Sequence, residues 1–163
     1  MSQPATMPPG AERPSRIPWP PLLLVAAAVA GWLLGRAFPL PWPGLDDRAA
    51  RLVGLGIGLA GLALIGWAAA TLARARTTIR PDAGATALVT HGPFARYRNP
   101  IYVGDAMILL GLAELTKNVW IAVLVIPFAI LVTRLAILPE EAHLEARFGD
   151  AFRDYKARTR RWI

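Results

Sequence analysis

The stretch Leu52 to Ala73, LVGLGIGLAGLALIGWAAATLA, runs for 22 residues without one charged side chain. A helix of that length rises about 33 Å, enough to cross a hydrocarbon layer of about 30 Å. Three more apolar segments accompany it, at about Pro21 to Phe38, Ile101 to Leu115 and Val119 to about Leu138. Apolar residues make up 55% of the 163-residue chain, more than a soluble domain usually carries. In lipid, a helix satisfies its own backbone hydrogen bonds. The predicted fold class is therefore all-α, an integral membrane helical bundle with about four transmembrane helices, in a single domain over 21–163.

Gly54, Gly58 and the Gly61–Gly66 region of the second segment suit close helix contact in lipid. The third and fourth segments are separated only by Thr116-Lys117-Asn118, which predicts a tight antiparallel hairpin with a polar tip. Residues 1–20 are rich in Pro, Ser and Gly and read as a flexible cytoplasmic tail. An acidic residue and several prolines ahead of the first apolar run do not suit a cleaved signal peptide. With no cysteine and only His91 and His143, no metal site is expected.

The net charge of +7 has a topological reading. With four spans, fourteen Lys and Arg residues fall on the side holding both termini and the loop between spans two and three. Four, namely Arg36, Arg48, Arg51 and Lys117, fall on the other side. That asymmetry predicts an inner or plasma membrane protein with both termini cytoplasmic. The basic charge then needs no nucleic acid, and anionic lipid headgroups are its expected partner.

Two polar stretches interrupt this pattern. The first, HGPFARYRNPIYVG, spans His91 to Gly104. Gly92-Pro93 reads as a turn, and Asn99-Pro100 reads as a cap and first residue that begin the third span. The free amides of that helix start suit an anion. The second, PEEAHLEARFGDAFRDYKARTRRWI, begins at Pro139 and places Glu140 and Glu141 in a first helical turn. Leu144, Phe148, Phe152 and Tyr155 make one apolar stripe. They predict an amphipathic helix over 139–158 lying on the membrane, which Gly149 bends or interrupts. Singly these residues are ordinary: Arg and Tyr anchor span ends, and a first-turn Glu complements a helix dipole. Asp105 lies one turn inside the third span, where a carboxylate borders a cavity or pairs with a cation such as Arg134.

Together the two stretches resemble the isoprenylcysteine carboxyl methyltransferase and phospholipid methyltransferase family of integral membrane enzymes. The resemblance rests on Gly92, Pro93, Phe94, Arg98, Pro100, Tyr102 and Gly104, then on Glu140-Glu141, Leu144, Phe148-Gly149, Tyr155 and the basic end. It covers roughly His91 to Ile163. Asn99 departs from it, standing where many members have a histidine; Asn cannot titrate near neutral pH. The resemblance implies S-adenosylmethionine as cofactor and a lipophilic small molecule or lipid as substrate. The implied cofactor-binding residues are His91, Gly92, Pro93, Phe94, Tyr97, Arg98, Asn99, Pro100, Tyr102, Glu140 and Glu141. Arg98 and the helix start at Asn99-Pro100 would take the cofactor carboxylate. Glu140 or Glu141 would take its ammonium or ribose hydroxyls, and Phe94, Tyr97 and Tyr102 would line its adenine or methionine portion. The implied catalytic residues are Arg98 or Arg134, to hold a carboxylate acceptor, and Glu141, to take a proton from an amine acceptor.

Two other functions are compatible with the chain. A membrane reductase for an isoprenoid or sterol-like lipid would need a nicotinamide cofactor, and no Gly-rich dinucleotide fingerprint is present. A non-catalytic scaffold of the same fold would need no cofactor. The sequence leaves the methyl acceptor and the oligomeric state open.

Overall fold

The computed structural model of the protein describes residues 19–76 and 87–163. Most of the expected flexible tail, and Arg13, Arg16 and Arg80 of the charge asymmetry, lie outside them. Helix α1 is Trp19–Ala37, so Trp19 and Pro20 belong to the bundle rather than to the tail. Then follow α2 (Arg48–Arg74), a one-turn 3-10 helix at Gly92–Ala95, α3 (Pro100–Thr116), α4 (Val119–Val132), a π turn at Thr133–Ile137, α5 (Leu138–Phe148) and α6 (Asp150–Arg158). No strand occurs among the described residues.

Three of these helical stretches are long and apolar enough to cross a membrane: Trp19–Ala37, Arg48–Arg74 and Val119–Phe148. The fourth member, α3, has 17 residues, a rise of about 25 Å. It runs antiparallel to α2 at glycine distance. A Cβ on Gly61 would stand 2.6 Å from the Gly104 carbonyl oxygen, and one on Gly111 would stand 2.6 Å from both Gly54 O and Gly58 N. The expectation for Gly54, Gly58 and Gly61 is met, whereas Gly66 meets nothing and faces outward.

The α3–α4 joint is the predicted hairpin. Lys117 takes the left-handed conformation that ends α3, and the Asn118 side chain accepts from the Trp120 and Ile121 amides to begin α4. Helix α1 packs against α4: a Cβ on Gly31 would strike Ile121, and Asn118 Nδ2 donates to Gly31 O. The spatial order is therefore α2, α3, α4, α1. The core between them holds Tyr102, Leu109, Ala113, Ile121, Phe128, Val132, Ala136 and Ile137. The outer faces keep Leu, Val, Ile and Trp exposed, as a lipid-facing bundle requires.

The fourth span does not stop at Leu138 as the sequence suggests. Pro139 has no N–H, and its ring crowds the carbonyl four residues back. The helix accommodates it by widening: the Leu138 amide bonds to Thr133 O, five residues earlier. Val119–Phe148 therefore continues as one helical stretch. The helix expected over 139–158 is interrupted at Gly149, where the sequence placed a bend or break, and so forms two helices; the φ of +52° there favours glycine. The apolar stripe turns into the protein there: Phe152 and Tyr155 are buried, and Leu144 and Phe148 half-buried.

Candidate active site

The site end of the bundle gathers the amino end of α3, the carboxyl end of α4 and both C-terminal helices. Gly92 sits at φ +62°, and a Cβ there would stand 3.1 Å from Thr71 Oγ1 of α2. This turn presses Pro93 and Phe94 inward, and Phe94 packs with Ala68 and Val89. The Tyr155 hydroxyl donates to Phe94 O at 2.8 Å. Burial pushes that hydroxyl up to about 12, so it remains a donor through the neutral range.

The chain end folds back across this segment. Arg98 N–H donates to Arg160 O at 2.8 Å and Arg160 N–H to Arg96 O at 3.1 Å, a parallel bridge between Tyr97 and Arg160. Asn99 Nδ2 donates to Arg161 O at 2.8 Å. Trp162 Nε1 donates to Thr133 Oγ1 at 3.1 Å, which ties the tail to the π turn. Helix α3 begins at Pro100 as expected, but the Asn99 side chain makes no cap bond; it holds the tail instead.

Under this tail lies an ion triad. Arg98 Nε donates to Glu141 Oε1 at 3.1 Å, with the two side chains only 9% and 8% exposed. Arg161 reaches the same carboxylate through Nε at 3.0 Å and Nη2 at 2.7 Å. Arg98 Nη1 also donates to the carbonyls of Lys156, at 2.9 Å, and Thr159. Two guanidinium groups on one buried carboxylate satisfy the charge that burial alone would penalise. Beside the triad, the Tyr102 hydroxyl donates to Glu140 Oε2 at 3.3 Å, long for such a bond.

The sequence-predicted residues thus divide. Arg98, Asn99, Pro100, Tyr102, Glu140 and Glu141 come together where α3 meets α5. Gly92, Pro93 and Phe94 pack toward α2, Tyr97 sits between Arg96 and Arg98, whose backbones bond the tail, and His91 is exposed at the start of the 3-10 turn. Arg134 is exposed on the π turn and makes no ion pair among the described residues. Arg161, Thr159 and Trp162 were missed: they read only as part of a basic chain end. A cavity of about 200 Å³ near Gly35 and Lys117 lies at the opposite end of the bundle, away from this chemistry.

The donor set suits a ligand that carries an amino-acid group. Guanidinium groups match a carboxylate, and Glu140, which the Tyr102 hydroxyl contacts, matches an ammonium or hydroxyl.

Residues 49–151 match the sequence model of the phospholipid methyltransferase family. Over 75 residues the chain is 36% identical to the nickel-cobalt-cadmium resistance protein NccN of Alcaligenes xylosoxydans xylosoxydans, covering 45% of this chain and 34% of that protein. Over 65 residues it is 34% identical to an uncharacterized protein of Haemophilus influenzae, covering 39% of this chain and all of that protein. The match thus spans about a third of the length of NccN. With the family match running from α2 through the paired glutamates into α6, the chain belongs to the phospholipid methyltransferase family.

Proposed function

We propose that the protein is an integral membrane methyltransferase that uses S-adenosylmethionine and acts on a lipophilic acceptor, an isoprenylcysteine-type carboxylate or a lipid amine. The observation that carries this reading is the meeting of the two motifs across α3 and α5, where Tyr102 contacts Glu140 beside the Arg98–Glu141–Arg161 triad. When bound, the cofactor supplies an electrophilic methyl group. The protein's part is to hold and align: Arg161, whose side chain is 36% exposed, and the amides at the start of α3 receive a carboxylate, and Glu140 receives an ammonium or ribose hydroxyl. Alignment of this kind accounts for much of the rate in a displacement reaction.

Calorimetry on the purified protein should show S-adenosylmethionine binding. Glu140→Gln should weaken it by about ten-fold, since a charge-assisted hydrogen bond contributes about 1.5–3 kcal/mol. Parent-like binding in this variant, or no binding by the parent, would remove the reading.

The site end is proposed to be cytoplasmic and the protein to reside in the plasma membrane, with anionic headgroups against the basic face. The fourteen-to-four division of cations supports this orientation. A reporter fused after Ile163 should behave as cytoplasmic and one placed between Pro41 and Asp46 as external. The reverse pattern would overturn the orientation.

A further inference from the structure

Asp105 is a buried carboxylate that meets no charged or hydrogen-bonding partner among the described residues. It is 7% exposed, and among the described residues it forms no ion pair or side-chain hydrogen bond. Arg134, the cation the sequence offers it, is exposed on the π turn. A lone carboxylate at this depth is costly and marks a place where a ligand or proton completes the site. Three other observations locate that place. Asp105 is three residues after Tyr102 and four before Leu109, so it shares their face of α3. Tyr102 and Leu109 pack in one cluster with Val132, Ala136 and Ile137, where α4 widens into the π turn. The Tyr102 hydroxyl points at Glu140, the proposed cofactor contact.

We propose that Asp105 receives a cationic amine acceptor and takes the proton that its nitrogen must lose. The inference rests on the methyltransferase reading and names the acceptor class. Glu141 does not fill this role, because Arg98 and Arg161 already hold its oxygens. Asn99 does not fill it, because an amide does not titrate and its side chain holds the tail. The balance is simple. An alkylammonium gives one proton to the Asp105 carboxylate and so exposes its lone pair. The nitrogen then bonds to the methyl carbon, and the carbon–sulfur bond breaks with its electron pair going to sulfur. The sulfonium becomes a neutral thioether, the nitrogen is a methylated ammonium that now carries the positive charge, and Asp105 is a carboxylic acid that returns its proton to water. A carboxylate acceptor would need none of this, and a second negative charge beside Asp105 would be repelled.

The test is calorimetry in phosphatidylcholine nanodiscs without cofactor, with dodecylamine and dodecanoate as probes and empty nanodiscs as the blank. The parent should bind dodecylamine in preference to dodecanoate. Asp105→Asn should weaken dodecylamine binding by about ten-fold or more, Asp105→Glu should recover part of it, and S-adenosylmethionine affinity should be unchanged in both. Equal dodecylamine affinity in parent and Asp105→Asn, or a parent preference for dodecanoate, would overturn the proposal. The parent comparison decides even if a variant does not fold. A parent that binds dodecylamine through Asp105 but not S-adenosylmethionine would sink the cofactor reading and leave the amine site standing.

Discussion

Arg98→Ala should release the C-terminal segment. The guanidinium joins Glu141 to the carbonyls of Lys156 and Thr159, so its removal strands two carbonyls and leaves a buried carboxylate with one of its two cations. Breaking a buried ion pair by removing one partner costs about 3–5 kcal/mol. Arg161 remains on Glu141, but it belongs to the segment that Arg98 anchors and cannot hold the tail alone. The expected result is a lower thermal midpoint in detergent together with rapid tryptic cleavage at Arg158, Arg160 and Arg161. The parent should resist at the last two, where the backbone is paired and Trp162 is docked. Glu141→Gln should have a milder effect, because it keeps the side chain's shape and one carbonyl acceptor. Identical melting and cleavage in parent and Arg98→Ala would show the triad to be ornamental. Arg98→Ala is also expected to lose cofactor binding, through the lost tail. Glu140→Gln, outside the triad, is the cleaner report on the cofactor.

Much of this site was legible in the sequence because its two halves are local. HGPFARYRNPIYVG and the Glu140-Glu141 pair are contiguous, and a short hairpin must return its second arm to the starting side. What the sequence concealed depends on distance or on small changes of period. Nothing in ARTRRWI marks Arg161 as the partner of a glutamate twenty residues earlier, or Arg160 as the bridge partner of Tyr97. A parallel pairing of so few residues leaves no alternation to detect. The π turn adds one residue to one turn, too small a shift to disturb an all-apolar pattern, and so Pro139 looked like a helix start. The order of helices was likewise hidden. Glycines in α2 announced a close neighbour without naming α3, and Gly31 in α1 gave no sign that its neighbour was Ile121.

Those glycines set the second large effect. Gly111→Leu should separate α2 from α3. A Cβ at position 111 would lie 2.6 Å from Gly54 O and Gly58 N and 2.8 Å from Gly58 Cα, and all three are backbone atoms that no rotamer change can move. Overpacking a core ordinarily costs about 1–3 kcal/mol and sometimes more; here the whole of α2 must shift, so the expected cost lies at or above the top of that range. The damage should reach the site, since the same helix pair places Gly92 against Thr71 and Phe94 against Ala68. The expected outcome is loss of monodisperse protein on gel filtration in detergent, or a large fall in thermal midpoint with loss of S-adenosylmethionine binding. Gly66→Ala is the matched control, on the same helix with nothing within 4 Å of the new Cβ. It should be neutral or gain about 0.5–1 kcal/mol from helix propensity. If Gly111→Leu and Gly66→Ala behaved alike, glycine would be serving composition rather than contact, and the α2–α3 interface would have to be rebuilt.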